Sequence, residues 1–118
     1  MYGLPPNIDL SFFVEKTLLQ VCFGRHDLIL HFDENVSITI TSSIGFSSPN
    51  GDIQQNEDFY LMANIILQLL EKKIVSVLTN TEGTLILCFE NGFDLVVYDD
   101  SAYYESYVIR NGEKLIIV

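Results

Sequence analysis

Apolar and polar residues alternate with a period of two along two stretches of the chain. Leu28, Leu30 and Phe32 recur at every second position, and Val36, Ile38 and Ile40 alternate with Ser37 and Thr39. That period is the signature of a half-buried β-strand. A strand slipped by one residue would turn its apolar set into water, so the two sets must share a face. Pairing Phe32 with Val36, Leu30 with Ile38 and Leu28 with Ile40 meets that demand and leaves Asp33-Glu34-Asn35 as a three-residue loop. The pattern returns as Leu85, Leu87 and Phe89 against Phe93, Leu95 and Val97, around Glu90-Asn91-Gly92. Three-residue hairpin loops favour left-handed backbone at their last position. Asn35 and Gly92 stand there, and these residue types tolerate it best.

The two hairpins belong to a longer repeat. Val14-Glu15-Lys16 aligns with Leu70-Glu71-Lys72 at an offset of 56, and Leu28 to Asp33 aligns with Leu85 to Glu90 at 57. Such self-similarity predicts one domain, residues 1–118, with an internal duplication over about 14–41 and 70–98. Around it, residues 1–8 read as an arm interrupted by Gly3, Pro5 and Pro6. Asp9 is placed to cap a short helix running to about Lys16. Leu18 to Phe23 reads as a strand, and residues 42–56 read as a polar loop whose Ile44, Phe46 and Ile53 can touch the core. Asn56 then opens the main helix, predicted over 57–72. It is apolar almost all round, so it must be buried on more than one side, by a curved sheet or by a second protomer. Asn111-Gly112 predicts a third hairpin, with Arg110 opposite Glu113. The expected class is therefore α+β: one curved antiparallel sheet of six to eight strands, built from two related hairpins and a C-terminal one, packed on one main helix.

Composition narrows the function. Sixteen acids against six bases give a net charge of -10, which argues against nucleic acid and anionic lipid as partners and for a basic protein. No apolar run approaches the roughly 20 residues that span a bilayer. No secretory leader is expected from the opening residues, and the two cysteines, Cys22 and Cys88, sit in apolar runs as expected of buried, reduced structural thiols. A reducing cytoplasm is the expected setting.

Catalytic signatures are missing. There is no Walker loop, dinucleotide fingerprint or nucleophile elbow. Cys88 matches His31 in the repeat, but each stands between large apolar neighbours, unlike an activated thiolate. The cysteines and histidines do not fall at zinc spacing. Asp99, Asp100 and Glu105 lack the calcium-loop pattern. No catalytic, cofactor or metal residue is therefore assigned, and the protein reads as a non-enzyme. Tyr98, Tyr103, Tyr104 and Tyr107 place four of the six tyrosines within ten residues, among three acids. Tyrosine offers a large rigid contact with a polar tip and is enriched at interface hot spots. Asp99, Asp100, Tyr103, Tyr104, Glu105 and Tyr107 are accordingly the expected partner-binding residues.

The segment Tyr104-Glu105-Ser106-Tyr107-Val108-Ile109, with the Asn111-Gly112 turn and the Ile116-Ile117-Val118 ending, resembles an uncharacterised family of small acidic bacterial proteins. The preceding Phe89-Glu90-Asn91-Gly92 hairpin fits the same resemblance, which is clearest over about residues 68–118. It implies a bacterial origin and no particular activity. Three functional expectations result. The first is a protein-interaction module, of inhibitor or immunity type, for a basic partner. The second is a structural or assembly subunit, a homodimer included. The third is a small-molecule-binding protein.

Overall fold

The computed structural model describes residues 2–102 and 104–118. Ten strands form two antiparallel sheets of five. In chain order they are β1 (Leu18–Phe23), β2 (Leu28–Phe32), β3 (Val36–Ile40), β4 (Ile44–Ser47), β5 (Ile53–Asn56), β6 (Ile74–Thr79), β7 (Leu85–Phe89), β8 (Asp94–Val97), β9 (Tyr107–Asn111) and β10 (Lys114–Ile117). The first sheet runs β1-β2-β3-β9-β10 and the second β5-β4-β8-β7-β6. The single curved sheet of six to eight strands expected from the pattern is thus two sheets around one core. Their inward residues, among them Leu30, Ile38, Ile109, Leu87, Leu95 and Phe46, join in one cluster.

The hairpin registers are those the alternation demands: Leu28 pairs with Ile40 and Leu30 with Ile38, and Leu85 pairs with Val97 and Leu87 with Leu95. Asn35 (φ 61°) and Gly92 (φ 87°) hold the left-handed conformations expected of them. The third hairpin differs by one step. Asn111 pairs with Lys114, so its loop is Gly112-Glu113 and Arg110 lies opposite Leu115, not Glu113. Gly112 (φ 62°) takes the first loop position, as a type II′ turn prefers.

Two other expectations are corrected. Residues 42–56 are not a polar loop but the hairpin β4–β5, turned where Gly51 N–H donates to Ser48 O (2.9 Å). Ile44 and Phe46 are buried in the core, whereas Ile53 is exposed. The main helix is far shorter than 57–72. It comprises a 3₁₀ turn Phe59–Met62, an α-helix Ala63–Ile66 (α1) and a second 3₁₀ turn Leu67–Leu69. Asp58, not Asn56, caps it, accepting from Tyr60 N. The segment ahead of β1 likewise shrinks to the 3₁₀ turn Ser11–Phe13, with Asp9 accepting from Ser11 N at 2.9 Å. These segments are short because the chain must turn into β1 and β6. Leu70 is extended and Glu71 (φ 65°) left-handed, as is Glu15 (φ 73°), 56 residues earlier.

The sheets meet around an isolated bridge between Thr17 and Lys73. The bonds flanking it are reciprocal. Glu15 N–H donates to Ile74 O and Glu71 N–H to Leu18 O, both at 2.8 Å, while Leu18 N–H donates to Lys72 O and Ile74 N–H to Lys16 O. Asp33 Oδ1 accepts from Thr17 N, and Glu90 Oε2 accepts from Lys73 N. At the other end the sheets are joined by residues 41–43 and by Tyr107, whose hydroxyl donates to Gly83 O at 2.7 Å.

Candidate functional site

The outward faces of both sheets are poor in charge. On the first, one row crosses all five strands as Cys22, Ile29, Thr39, Val108 and Ile117. The next row is Gln20, His31, Ser37, Arg110 and Leu115. Neither contains a carboxylate. The only acid within any strand is Asp94, on β8. The other fifteen acids stand in the arm, turns and connections, at both ends of the molecule, and the bases divide unevenly between those ends.

One end holds the tips of the hairpins β2–β3, β7–β8 and β9–β10 and the Thr17–Lys73 bridge. Its acids Glu15, Asp33, Glu34, Asp52, Glu71, Glu90 and Glu113 are interspersed with Lys16, Lys72, Lys73, Arg110 and Lys114. Lys16 meets Glu34 at 3.7 Å and Lys73 meets Glu15 at 3.8 Å. The opposite end holds the β1–β2 and β6–β7 turns, the entry to the 3₁₀ turn at Phe59, and the long β8–β9 connection. There Asp27, Glu57, Asp58, Glu82, Asp99, Asp100 and Glu105 are balanced by Arg25 alone. This is the acidic pole, and local sequence builds it. Asn56 Oδ1 accepts from Asp58 N at 2.9 Å, and Asp58 Oδ1 from Tyr60 N at 3.1 Å, so polar side chains replace the missing backbone partners of the turn. Asp58 Oδ2 also accepts from Arg25 Nη1 (3.2 Å), whose guanidinium lies 4.8 Å from the Tyr60 ring centre. Arg25, His26, Thr41, Glu57 and Asp58 line an open cleft of about 440 Å³. A neighbouring hollow is lined by Ser43, Gln55, Asn56, Glu57 and Asp100, so Glu57 stands between the two.

The expected partner-binding residues separate into different roles. Tyr104 is 70% exposed, and Glu105 is exposed, its carbonyl accepting from Thr41 Oγ1 at 2.7 Å. Asp100 lies at the surface, but its carboxylate accepts from both the amide and the hydroxyl of Ser43. Asp99 is half-buried and accepts from Gly3 N (2.8 Å) and Ser106 Oγ (2.6 Å), holding the arm and the connection together. Tyr103 lies outside the described residues. Tyr107 is corrected outright: it is 0% exposed, a core side chain of β9. Its burial pushes the phenol well above the ordinary tyrosine value. Tyr98 covers Gly45 on the outside of the second sheet, its hydroxyl 2.8 Å from where a Cβ would stand. Of the tyrosines clustered in sequence, Tyr98 thus lies on the second sheet, Tyr104 is exposed and Tyr107 is in the core. Sequence reasoning missed Asp27, Glu57, Asp58 and Glu82. Their signal was position: each follows or interrupts a strand, where turns put side chains on the rim.

The thiols are also placed differently from expectation. Cys22 and Cys88 are free and partly exposed, on the outward faces of different sheets. The same separation keeps His31 of β2 from Cys88 of β7. Partial burial raises the Cys88 thiol above its ordinary value, and nearby Asp94 adds to the rise while a bond with Ser76 opposes it. Among the described residues, no group of three or more His, Cys, Asp or Glu is placed to hold a metal ion. Among them, too, no helix is long and apolar enough to cross a membrane.

A family model matches residues 12–118, from the 3₁₀ turn before β1 to the end of the chain. The chain belongs to the family of unknown function DUF6188. Both hairpins and the connection carrying Asp99 to Glu105 lie inside the match, whereas the arm lies outside it. No curated protein and no solved structure matches the chain.

Proposed function

We propose that this protein is a non-enzymatic interaction module whose acidic pole docks a basic protein, as an inhibitor or immunity-type protein does. The observation that carries the reading is the separation of charge. Every base but Arg25 lies toward the end opposite the pole, so the pole keeps a strong negative field. Such a field steers a cationic partner and acts chiefly on association rate. Tyr60 and Tyr104, both exposed beside these acids, supply the rigid contact area that carries interface energy. The clefts at this end are open and lined by charge, which favours a macromolecular partner over an enclosed small molecule. The setting proposed is a bacterial cytoplasm, with both thiols reduced. The one domain is read as two copies of a single unit, over about 14–41 and 70–98, on the support of the reciprocal bonds around Thr17 and Lys73.

Affinity capture from cells of the source organism tests this, using the native protein beside the double variant Glu57→Gln/Glu82→Gln. These two carboxylates accept none of the hydrogen bonds that shape the pole, so the fold is expected to be unaffected. The native protein should retain a basic polypeptide that salt releases, and the variant should lose it. Tyr104→Ala should speed dissociation of the captured partner. Identical captured proteins for native and variant, or none that is basic, would contradict the proposal.

A further inference from the structure

Four strands stand at sheet edges: β1 and β10 in the first sheet, β5 and β6 in the second. An edge strand offers unpaired backbone groups to another chain, and natural sheets blunt it with bulges, polar side chains or a covering segment. β1 is bulged between Leu18 and Gln20, and β6 between Ile74 and Ser76. β6 also has the arm beside it, where Ile8, Leu10 and Val14 share a hollow with Val75 and Val77. β5 ends in Gln54-Gln55-Asn56. β10 is the least protected: it has no bulge, one lysine, Lys114, opens it, and of the arm Tyr2 reaches only its far end, at Ile117. After Lys114 it reads Leu115-Ile116-Ile117-Val118, with no charge, proline or bulge, and Leu115 and Ile117 are each 50% exposed.

The backbone of β10 is equally open. Lys114 pairs with Asn111 and Ile116 with Ile109, and Val118 N–H donates to Tyr107 O at 2.9 Å. Alternation in an antiparallel ladder then directs the N–H and C=O of Leu115 and Ile117 away from β9. We propose that β10 pairs with β10 of a second copy of this chain, antiparallel about a two-fold axis at Ile116, making one continuous ten-stranded sheet. The axis places Leu115 of each copy opposite Ile117 of the other, so four half-exposed aliphatic side chains close over the joint. It also places Lys114 of each copy opposite Val118, at the end of the strand in the other. Glu105 is close to that end, lining a hollow with Tyr2 and Ile117. Lys114 makes no ion pair among the described residues, so the pairing brings an unmatched cation toward the Glu105 carboxylate of the second copy. The choice of a second copy, and not a basic partner, rests on this match and on the surface around it. The outward face next to β10 carries Arg110 and no carboxylate, so two chains of net charge -10 can approach there. Strand pairing alone buries less than the roughly 1,600 Å² of a standard interface, so association is expected in the range of tens of micromolar.

Sedimentation over a concentration series from about 5 μM to about 1 mM tests the proposal. The mass should rise from 13.4 kDa toward twice that value. Ile117→Lys and Leu115→Lys, both surface changes checked for folding by circular dichroism, should each weaken association about tenfold or more. Lys114→Glu should weaken it too, and Lys114→Glu combined with Glu105→Lys should restore it. A monomer throughout the range, or a dimer indifferent to both lysine substitutions, would overturn the proposal. Failure of the charge exchange to restore pairing would overturn the two-fold register on which it rests.

Discussion

Tyr107 illustrates how little a residue's neighbours in sequence say about its place. It sits in a run of tyrosines and acids, yet the alternation of β9 turns it inward with Ile109. There its hydroxyl satisfies Gly83 O across the two sheets. Val108, between Tyr107 and Ile109, is apolar too, so polarity alone gave no period of two here, and density of tyrosine drew attention to the wrong property. Tyr107→Phe should cost about 1 kcal/mol, because a buried carbonyl loses its donor. The pH dependence has a definite sign. The folded phenol titrates above its unfolded value of about 10, so its contribution is complete below that pH. It is lost as pH rises and the unfolded chain ionises first. Denaturant midpoints should therefore fall for the native protein as pH rises above about 10, and less steeply for Tyr107→Phe. Parallel curves for the two proteins would contradict the assignment.

At the scale of elements, the β2–β3 and β7–β8 hairpins were legible because burial and turn chemistry agree, whereas the β9–β10 hairpin was located but its register was one step off. The alternation in β2–β3 and β7–β8 fixes which residues face the core, and Asn35 and Gly92 fit the loops that result. The helix was not legible. A long apolar segment reads as a continuous helix by propensity, but it is cut short by the need to start β6 beside Thr17. Glu15 and Glu71 carry that change of direction in left-handed conformations, and glutamate gives no signal for them. Their equivalence in the bonds around the bridge makes them a test of it. Left-handed backbone costs a side-chain-bearing residue about 1 kcal/mol. Exposed Glu71 changed to Gly should thus stabilise the protein by roughly 0.5–1 kcal/mol after the extra freedom of the unfolded chain is counted. Glu71→Val should destabilise by at least as much. Equal unfolding midpoints for the two variants would show that this turn is not left-handed.

For the whole molecule, composition announced the acidity but not its distribution. Net charge is a sum, whereas the pole depends on which turns end up together. Arg25 and Asp58, Thr41 and Glu105, and Ser43 and Asp100 are each far apart in sequence and adjacent in space. The sequence reading selected Asp99, Asp100 and Glu105, the part of the pole dense enough to notice. It missed Asp27, Glu57, Asp58 and Glu82, which long-range contacts bring beside them. Two of the selected acids, Asp99 and Asp100, hold the fold as well as contribute charge, so their removal is a poor probe of binding.

The account rests on the pole, rather than the mixed-charge end, being the surface that receives a basic partner. The most direct measurement is an amide chemical-shift titration of the native protein with a short oligoarginine peptide at low salt. Saturable shifts should concentrate at Asp27, Glu57, Asp58, Glu82 and the 99–105 connection, and should fade as salt is added. Shifts of equal size at Glu34, Glu90 and Glu113, where lysines are interspersed, would contradict the account.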